Sequence, residues 1–235
     1  MSSLNILSGG AAQGLVTSLT PAFKAFTGFD IAGEFGAVGV MADKLRQSTP
    51  ADIVILTAAL LAKLAQEKLV VSASITDVGL VETALAVRTG DPPASVRDAA
   101  ELREVLLSAD AIFVPDTGTS TAGIHVAKVL RQLGIAEQVA GRLRIFPNGA
   151  TAMRELAASK AQRPIGCTQS TEIISTKGVD LSGSLPTGCE LATMYTAGIT
   201  TTAVHPRQAQ YLIELLTGAG QGEQRARAGF IGGRS

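Results

Sequence analysis

The sequence predicts an α/β fold of parallel sheets flanked by helices, and three observations predict it. Apolar runs end repeatedly in a knot of Gly, Ser, Thr or Asn and pass into a helix-like run, the rhythm of βαβ units. Apolar residues make up 46% of the 235 positions while aromatics are only 4% and Trp is absent, so Val, Ile, Leu and Ala must fill the core. Two long extended stretches, Leu80–Arg88 and Leu191–Ile199, have no local partner. They predict strands that carry the chain from one lobe to a second and back. The first lobe is then discontinuous, residues 1–80 with 200–235, and the second covers 81–199.

The elements follow in order. Leu4–Leu7 is a strand closed by Ser8-Gly9-Gly10. Ala11–Phe26 places Leu15, Val16, Leu19, Phe23 and Phe26 on one helical face, with Pro21 predicting a kink. Strand Asp30–Phe35 runs into Gly36-Ala37-Val38-Gly39 and a helix over Met41–Gln47. Strand Ile53–Leu56 precedes a helix over Ala58–Gln66. A loop-like Ser72–Asp77 region leads to strand Leu80–Val87, which Thr89-Gly90-Asp91-Pro92-Pro93 ends. Helix Val96–Leu107 and strand Ala111–Val114 come next, then the turn Pro115–Thr121 and a helix over Thr121–Leu133. Strand Leu143–Phe146, the turn Pro147-Asn148-Gly149 and helix Ala150–Ser159 repeat the pattern, as does strand Ile165–Thr168 with Gln169-Ser170-Thr171. The Thr-rich Leu191–Ile199 precedes a helix over Pro206–Leu216, where Pro206 suits a first turn that has no use for its missing N–H.

Composition excludes several classes. Twenty basic residues balance twenty acidic ones, which gives no footprint for nucleic acid or an anionic membrane. No apolar run approaches the roughly 18 residues of a membrane span, so no membrane insertion is expected. Met1-Ser2-Ser3 leads straight into the first strand without a signal peptide, which reads as cytoplasmic as written, or periplasmic if the chain is a trimmed mature form. Cys167 and Cys189 lack metal spacing and read either as two buried thiols or as one disulfide. No metal and no cofactor are expected.

Strand-to-helix turns sit at the carboxyl ends of parallel strands, where α/β proteins bind ligands. Helix N-termini there offer unpaired N–H groups and partial positive charge to an anion. The five turns contain no Lys, Arg or His, so their donors are backbone N–H, hydroxyl and amide groups. Ser8-Gly9-Gly10 predicts close backbone approach to a ligand. Thr119-Ser120-Thr121 caps a helix and can bind as well. Asn148-Gly149 reads as a turn or as a ligand loop. Asp116 and Glu172 are the candidate bases near these loops, each with a structural alternative in a turn or at a helix dipole. His125 reads as packed or surface-facing, His205 as a helix-entry residue and Arg154 as a solvated cation.

Several of these segments resemble the type II periplasmic solute-binding proteins, and within them the molybdate-binding branch. The likeness runs over nearly the whole chain. Pro50-Ala51-Asp52-Ile53 is similar to that family's strand entry, and Asp116 with Thr121-Ala122-Gly123-Ile124 and Ala127 to its second-lobe anion-binding helix. Pro164-Ile165-Gly166 with Ser170–Glu172, and the closing Arg227-Ala228-Gly229-Phe230, resemble two further segments. The resemblance implies two lobes joined by crossing strands, with a ligand in a central cleft. It places ligand contacts at Ser8, Gly9, Gly10, Gly36, Ala37, Val38, Thr119, Ser120, Thr121, Asn148, Gln169 and Ser170.

The chain departs from that branch where tetrahedral oxyanions are bound. The first loop reads Gly10-Ala11-Ala12 and the second Ala37-Val38-Gly39-Val40, both short of hydroxyls, and Gln169 stands where the family has a tyrosine. The expected ligand is therefore a small organic anion, a carboxylate, rather than molybdate. The first expectation is a binding protein, a monomer, with an ABC permease as partner if exported. Some relatives of the branch are enzymes, aconitate isomerase among them, which gives a second expectation: proton transfer in an unsaturated carboxylic acid, with Asp116 or Glu172 as base. A molybdate or oxyanion receptor of an ABC transporter is the third.

Overall fold

A computed structural model describes residues 2–232. The chain enters with β1 (Ser3–Gly9), a 3-10 turn at Gly10–Ala12 and α1 (Gln13–Thr27), then β2 (Asp30–Gly36), α2 (Val38–Arg46), β3 (Ile53–Thr57) and α3 (Ala58–Gln66). The long β4 (Thr76–Arg88) leads to α4 (Ala99–Ser108), β5 (Ala111–Pro115), α5 (Thr121–Gln132), α6 (Ala136–Val139), β6 (Leu143–Phe146) and α7 (Gly149–Ala158). After β7 (Pro164–Gln169) come α8 (Ser170–Ile174), β8 (Val179–Ser184), β9 (Ala192–Ile199), α9 (Pro206–Thr217) and α10 (Gly222–Arg227).

The chain divides into two compact units. One runs up to Val81 and resumes at Thr193; the other is Glu82–Ala192. The sequence reading grouped all of 81–199 together. The division differs at β9 because β9 pairs antiparallel with β3, Ile53 opposite Ile199 through Thr57 opposite Tyr195.

In the first unit the strand order is β2-β1-β3-β9-β4. β1 lies parallel to both β2 and β3, as βαβ crossovers require. β3 is buried on both faces and reads as the unbroken run Ile53-Val54-Ile55-Leu56. α1 presents Leu15, Val16, Leu19 and Phe23 to the core and continues through Pro21. Asp52, 1% exposed, pins the amino end of these strands. Its carboxylate accepts the Asn5 N–H at 2.9 Å and the Val204 and His205 N–H groups at 2.8 Å, which fixes the entry to α9. Pro206 then occupies the first helical turn.

In the second unit the order is β4-β7-β5-β6, with β8 on β4. β5 is parallel to β6 and β7, whereas β4 is antiparallel to β7 and β8. Side chains alternate cleanly between two cores. Leu85, Ile112, Val114, Ile165 and Cys167 pack in one cluster with Val126, Val129 and Leu130 of α5. Ala84, Ala86, Ala111 and Phe113 pack in the other with Met153 and Leu156 of α7. One face of this sheet therefore belongs to α5 and the other to α7. α4 begins at Ala99 rather than Val96 because Asp98 caps it, accepting the Glu101 N–H at 2.9 Å, while Glu101 accepts the Arg97 N–H at 2.8 Å. β8 was not expected from sequence. Cys167 and Cys189 are both free and buried, and burial pushes the Cys167 thiol up to about 12.

Candidate functional site

Two loops meet at the carboxyl edge of the first unit, since Gly9 pairs with Gly36 across β1 and β2. Ser8 is fully buried and donates its hydroxyl to the Gly9 carbonyl at 2.9 Å. Gly9 has an ordinary φ of −59°. A Cβ there would fall 2.8 Å from Val38 Cγ1 and 3.0 Å from Tyr195 Cε1, so packing requires the glycine. Gly10 opens the 3-10 turn, which has no side-chain cap. Gly36 ends β2, and Ala37 stands at the N-cap of α2, where it has no hydroxyl to offer the N–H groups that begin at Val38.

The second unit's strand-end loops share an edge for the same reason: Pro115 pairs with Phe146, and Phe113 with Gly166. Here the sequence builds two helix N-termini of different character. α5 begins at Thr121 with Ser120 at its N-cap and no side-chain cap hydrogen bond. It sits hard against the end of β5, because a Cβ on Gly123 would overlap the carbonyl oxygens of Pro115 and Asp116. Asp116 folds the loop beneath it. Its Oδ1 accepts from the Gly118 N–H at 2.9 Å, the Thr119 N–H at 2.7 Å and the Thr119 hydroxyl at 2.8 Å. The Thr119 hydroxyl and these N–H groups hold the Asp116 carboxyl below its usual range. Asp116 is thus a turn-forming carboxylate and a poor base, and Thr119 turns its hydroxyl inward to it.

α7 is the opposite case. Asn148 caps it, accepting the Thr151 N–H at 2.8 Å. Glu172 reaches the same terminus from α8 and accepts the Thr168 hydroxyl at 2.6 Å. Burial raises the Glu172 carboxyl, opposed by the Thr168 hydroxyl and the N–H groups of Gln169, Ala150 and Gly149. A Cβ on Gly149 would land in the Glu172 carboxyl group and the Thr168 hydroxyl, so Gly149 cradles an internal acceptor.

Gln169 ends β7, 3% exposed, and neither its amide oxygen nor its amide nitrogen has a partner. It alternates with Cys167 and Ile165, so its side chain lies on the α5 face. Thr83 faces it directly across the β4–β7 pair, 1% exposed, and the Thr83 hydroxyl is likewise unpartnered. Ser170 follows, buried, as the first residue of α8. The cations and histidines stand elsewhere in the bonding. Arg154 donates to Thr151 at 2.9 Å, His125 Nε2 contacts the Cys189 carbonyl at 2.8 Å, and His205 lies edge-on to Phe29. Among the described residues no group of His, Cys, Asp and Glu could hold a metal ion. Among the described residues no helix is long and apolar enough to cross a membrane.

Sequence reasoning missed Thr83, Gly123 and the partners of Glu172. A lone hydroxyl inside the apolar run Leu80–Val87 was the available signal for Thr83; the glycine contacts had no local signal.

Residues 4–231 match the profile of the bacterial extracellular solute-binding proteins. The chain is 23% identical over 224 residues to an aconitate isomerase of Pseudomonas sp., covering 92% of this chain and 82% of that protein. The periplasmic molybdate-binding protein of Azotobacter vinelandii has the same fold, with a TM-score of 0.82 at 16% identity over 99% of this chain and 100% of that one. The sulfate-binding protein of Mycobacterium tuberculosis matches with a TM-score of 0.74 at 18% identity, over 98% and 86%. The two-lobed, type II α/β fold is thereby established.

Proposed function

The chain belongs to the bacterial extracellular solute-binding protein family, and from that premise we propose that it binds a small organic anion, a carboxylate. The contacts we assign are Ser8–Gly10 and Gly36–Val38 in one unit, with Ser120, Thr121, Gln169 and Ser170 in the other. The observation that carries this reading is a set of helix starts at strand ends with no side-chain cap, at Gly9, Ala37 and Ser120, in loops without a cation. Such termini bind a carboxylate through N–H groups and the helix dipole. In one unit they have Ala or Gly where a tetrahedral oxyanion would want hydroxyls. The name of the Pseudomonas relative supports a carboxylic acid as ligand.

That relative also favours a second reading, isomerisation of an unsaturated carboxylic acid. The bonding of the two candidate bases weighs against it, with Asp116 held low by its own loop and Glu172 occupied at α7. A general base needs a pKa near the operating pH, from which its loop moves Asp116 away, and an oxygen within reach of the proton, which the α7 start competes for at Glu172. We therefore place binding first.

Calorimetry against di- and tricarboxylates, molybdate and sulfate tests the assignment. A carboxylate should bind in the micromolar range or tighter, and the two oxyanions at least tenfold more weakly. Sub-micromolar molybdate binding with no carboxylate binding defeats it. Proton NMR of the best carboxylate incubated with the protein separates binder from isomerase, since only the isomerase changes the spectrum. An ABC permease is the partner consistent with the family.

A further inference from the structure

We infer that the group lodged in the second unit donates a hydrogen bond as well as accepting one, so that the ligand is a hydroxycarboxylate rather than a plain carboxylate. This rests on the small-anion reading above. It starts from Gln169, whose amide oxygen and nitrogen are both buried and both unpartnered. A primary amide has two N–H donors and an acceptor oxygen. Leaving both ends unsatisfied in the interior is costly, so the residue fits a molecule that is bound rather than the chain itself.

The surroundings do not complete it. Thr83 lies directly opposite across the antiparallel pair, where Cβ atoms come about 4.5–5.5 Å apart. Its hydroxyl is also unpartnered, so neither residue satisfies the other. Both lie on the face of the sheet that carries α5, as the alternation with Leu85 and Cys167 requires. The uncapped start of α5 stands at the carboxyl edge of that face.

The chemistry of the donors then divides the ligand into parts. The α5 terminus offers N–H groups alone and takes a carboxylate oxygen. Gln169 Nε2 can donate to the same carboxylate. Gln169 Oε1 can only accept, and a fully ionised carboxylate, sulfate or molybdate carries no proton to give it. A hydroxyl beside the carboxylate supplies that proton, and Thr83 can donate to the hydroxyl oxygen in turn. The oxygen of Gln169 thus selects for a group that oxyanion receptors have no reason to select.

Two ligand pairs isolate the hydroxyl, since citrate differs from tricarballylate, and malate from succinate, only by that group. In calorimetry the hydroxyl member of at least one pair should bind about tenfold more tightly, which is about 1.4 kcal/mol. Gln169→Met should reduce that preference to less than twofold. It should also raise the melting temperature of the ligand-free protein by roughly 2–4 °C, because two buried orphan atoms disappear. Thr83→Val should weaken the hydroxyl member and leave the other unchanged. Equal binding within both pairs overturns the inference while leaving the carboxylate reading intact. So does a preference that survives in Gln169→Met, or a melting temperature that falls in that variant. Binding of none of the four acids overturns the carboxylate reading and this inference with it.

Discussion

The helix starts of α5 and α7 lie along one sheet edge of the same unit and have been treated in opposite ways. α7 has Asn148 on its first turn and the Glu172 carboxylate in a glycine cradle. α5 has a glycine too, but Gly123 is there to seat the helix against Pro115 and Asp116, and its N-cap residue makes no side-chain bond. An acceptor supplied by the chain makes a helix terminus structural, and a terminus left bare keeps its N–H groups and dipole for a visitor. The same pattern of Gly, Ser, Thr and Asn precedes both helices, so loop composition alone does not tell the two uses apart.

The comparison can be broken at either helix. Gly123→Ala should have the largest effect, because the new methyl meets backbone oxygens that cannot swing aside. We expect a loss of about 3 kcal/mol by denaturant unfolding, at the upper end for overpacking, together with at least tenfold weaker carboxylate binding. Full stability in this variant would show that α5 is not seated as described. Glu172→Ala comes next. It strands buried donors at the α7 start and should cost about 2–3 kcal/mol. Formate or acetate at tens of millimolar should restore part of the melting temperature in this variant and do nothing for the parent chain, since the vacated donors regain an acceptor by mass action.

Thr121→Ala sharpens the contrast from the other side. Binding should weaken about tenfold, roughly 1.4 kcal/mol, while the unfolding midpoint stays within error. A change in stability without a change in affinity would make α5 the structural terminus. The smallest effect is in pH. The folded protein raises the Glu172 carboxyl above its unfolded value because it is buried. Its contribution is therefore fully present below the ordinary glutamate range and is lost as pH rises through the folded value. The stability of the parent chain relative to Glu172→Gln should grow as pH falls from neutral toward 4, as read from paired urea melts. A gap that shrinks instead would mean that the N–H groups outweigh burial.

Much of the frame was legible in the sequence. The start of α3 and the Pro206 entry to α9 follow from local rules, and the strand cores were placed within a few residues by apolar patterning. β8 was not legible because Val179–Ser184 has only two apolar residues and closes in Ser182-Gly183-Ser184, so it reads as loop. At the candidate site the loops could be located but their bonding could not. Ser8 could be placed in its loop, but not the bond that its hydroxyl makes to its neighbour's carbonyl. Glu172 looked like an acid on the first turn of its own helix, whereas its oxygens serve a helix that begins 23 positions earlier, at Gly149. Contacts made between elements leave no spacing in the chain to read, and Gln169 announces itself only by what fails to reach it.

The division of the chain at Val81 and Thr193 has a consequence for its birth on the ribosome. The second unit is continuous, so all its strands and both its cores have been synthesised once Ala192 is made. The first unit begins earlier and finishes later. Its most apolar strand, Ile53–Thr57, must wait for β9, and its helical layer waits for Leu212, Ile213 and Leu216 of α9. The division therefore predicts that the second unit can complete its contacts before the first, against the usual order in which the N-terminal part folds first. During that interval the nascent chain carries the apolar run Ile53–Leu56 of β3 with one edge unpaired, which predicts that the first third of the molecule is the part most in need of shielding.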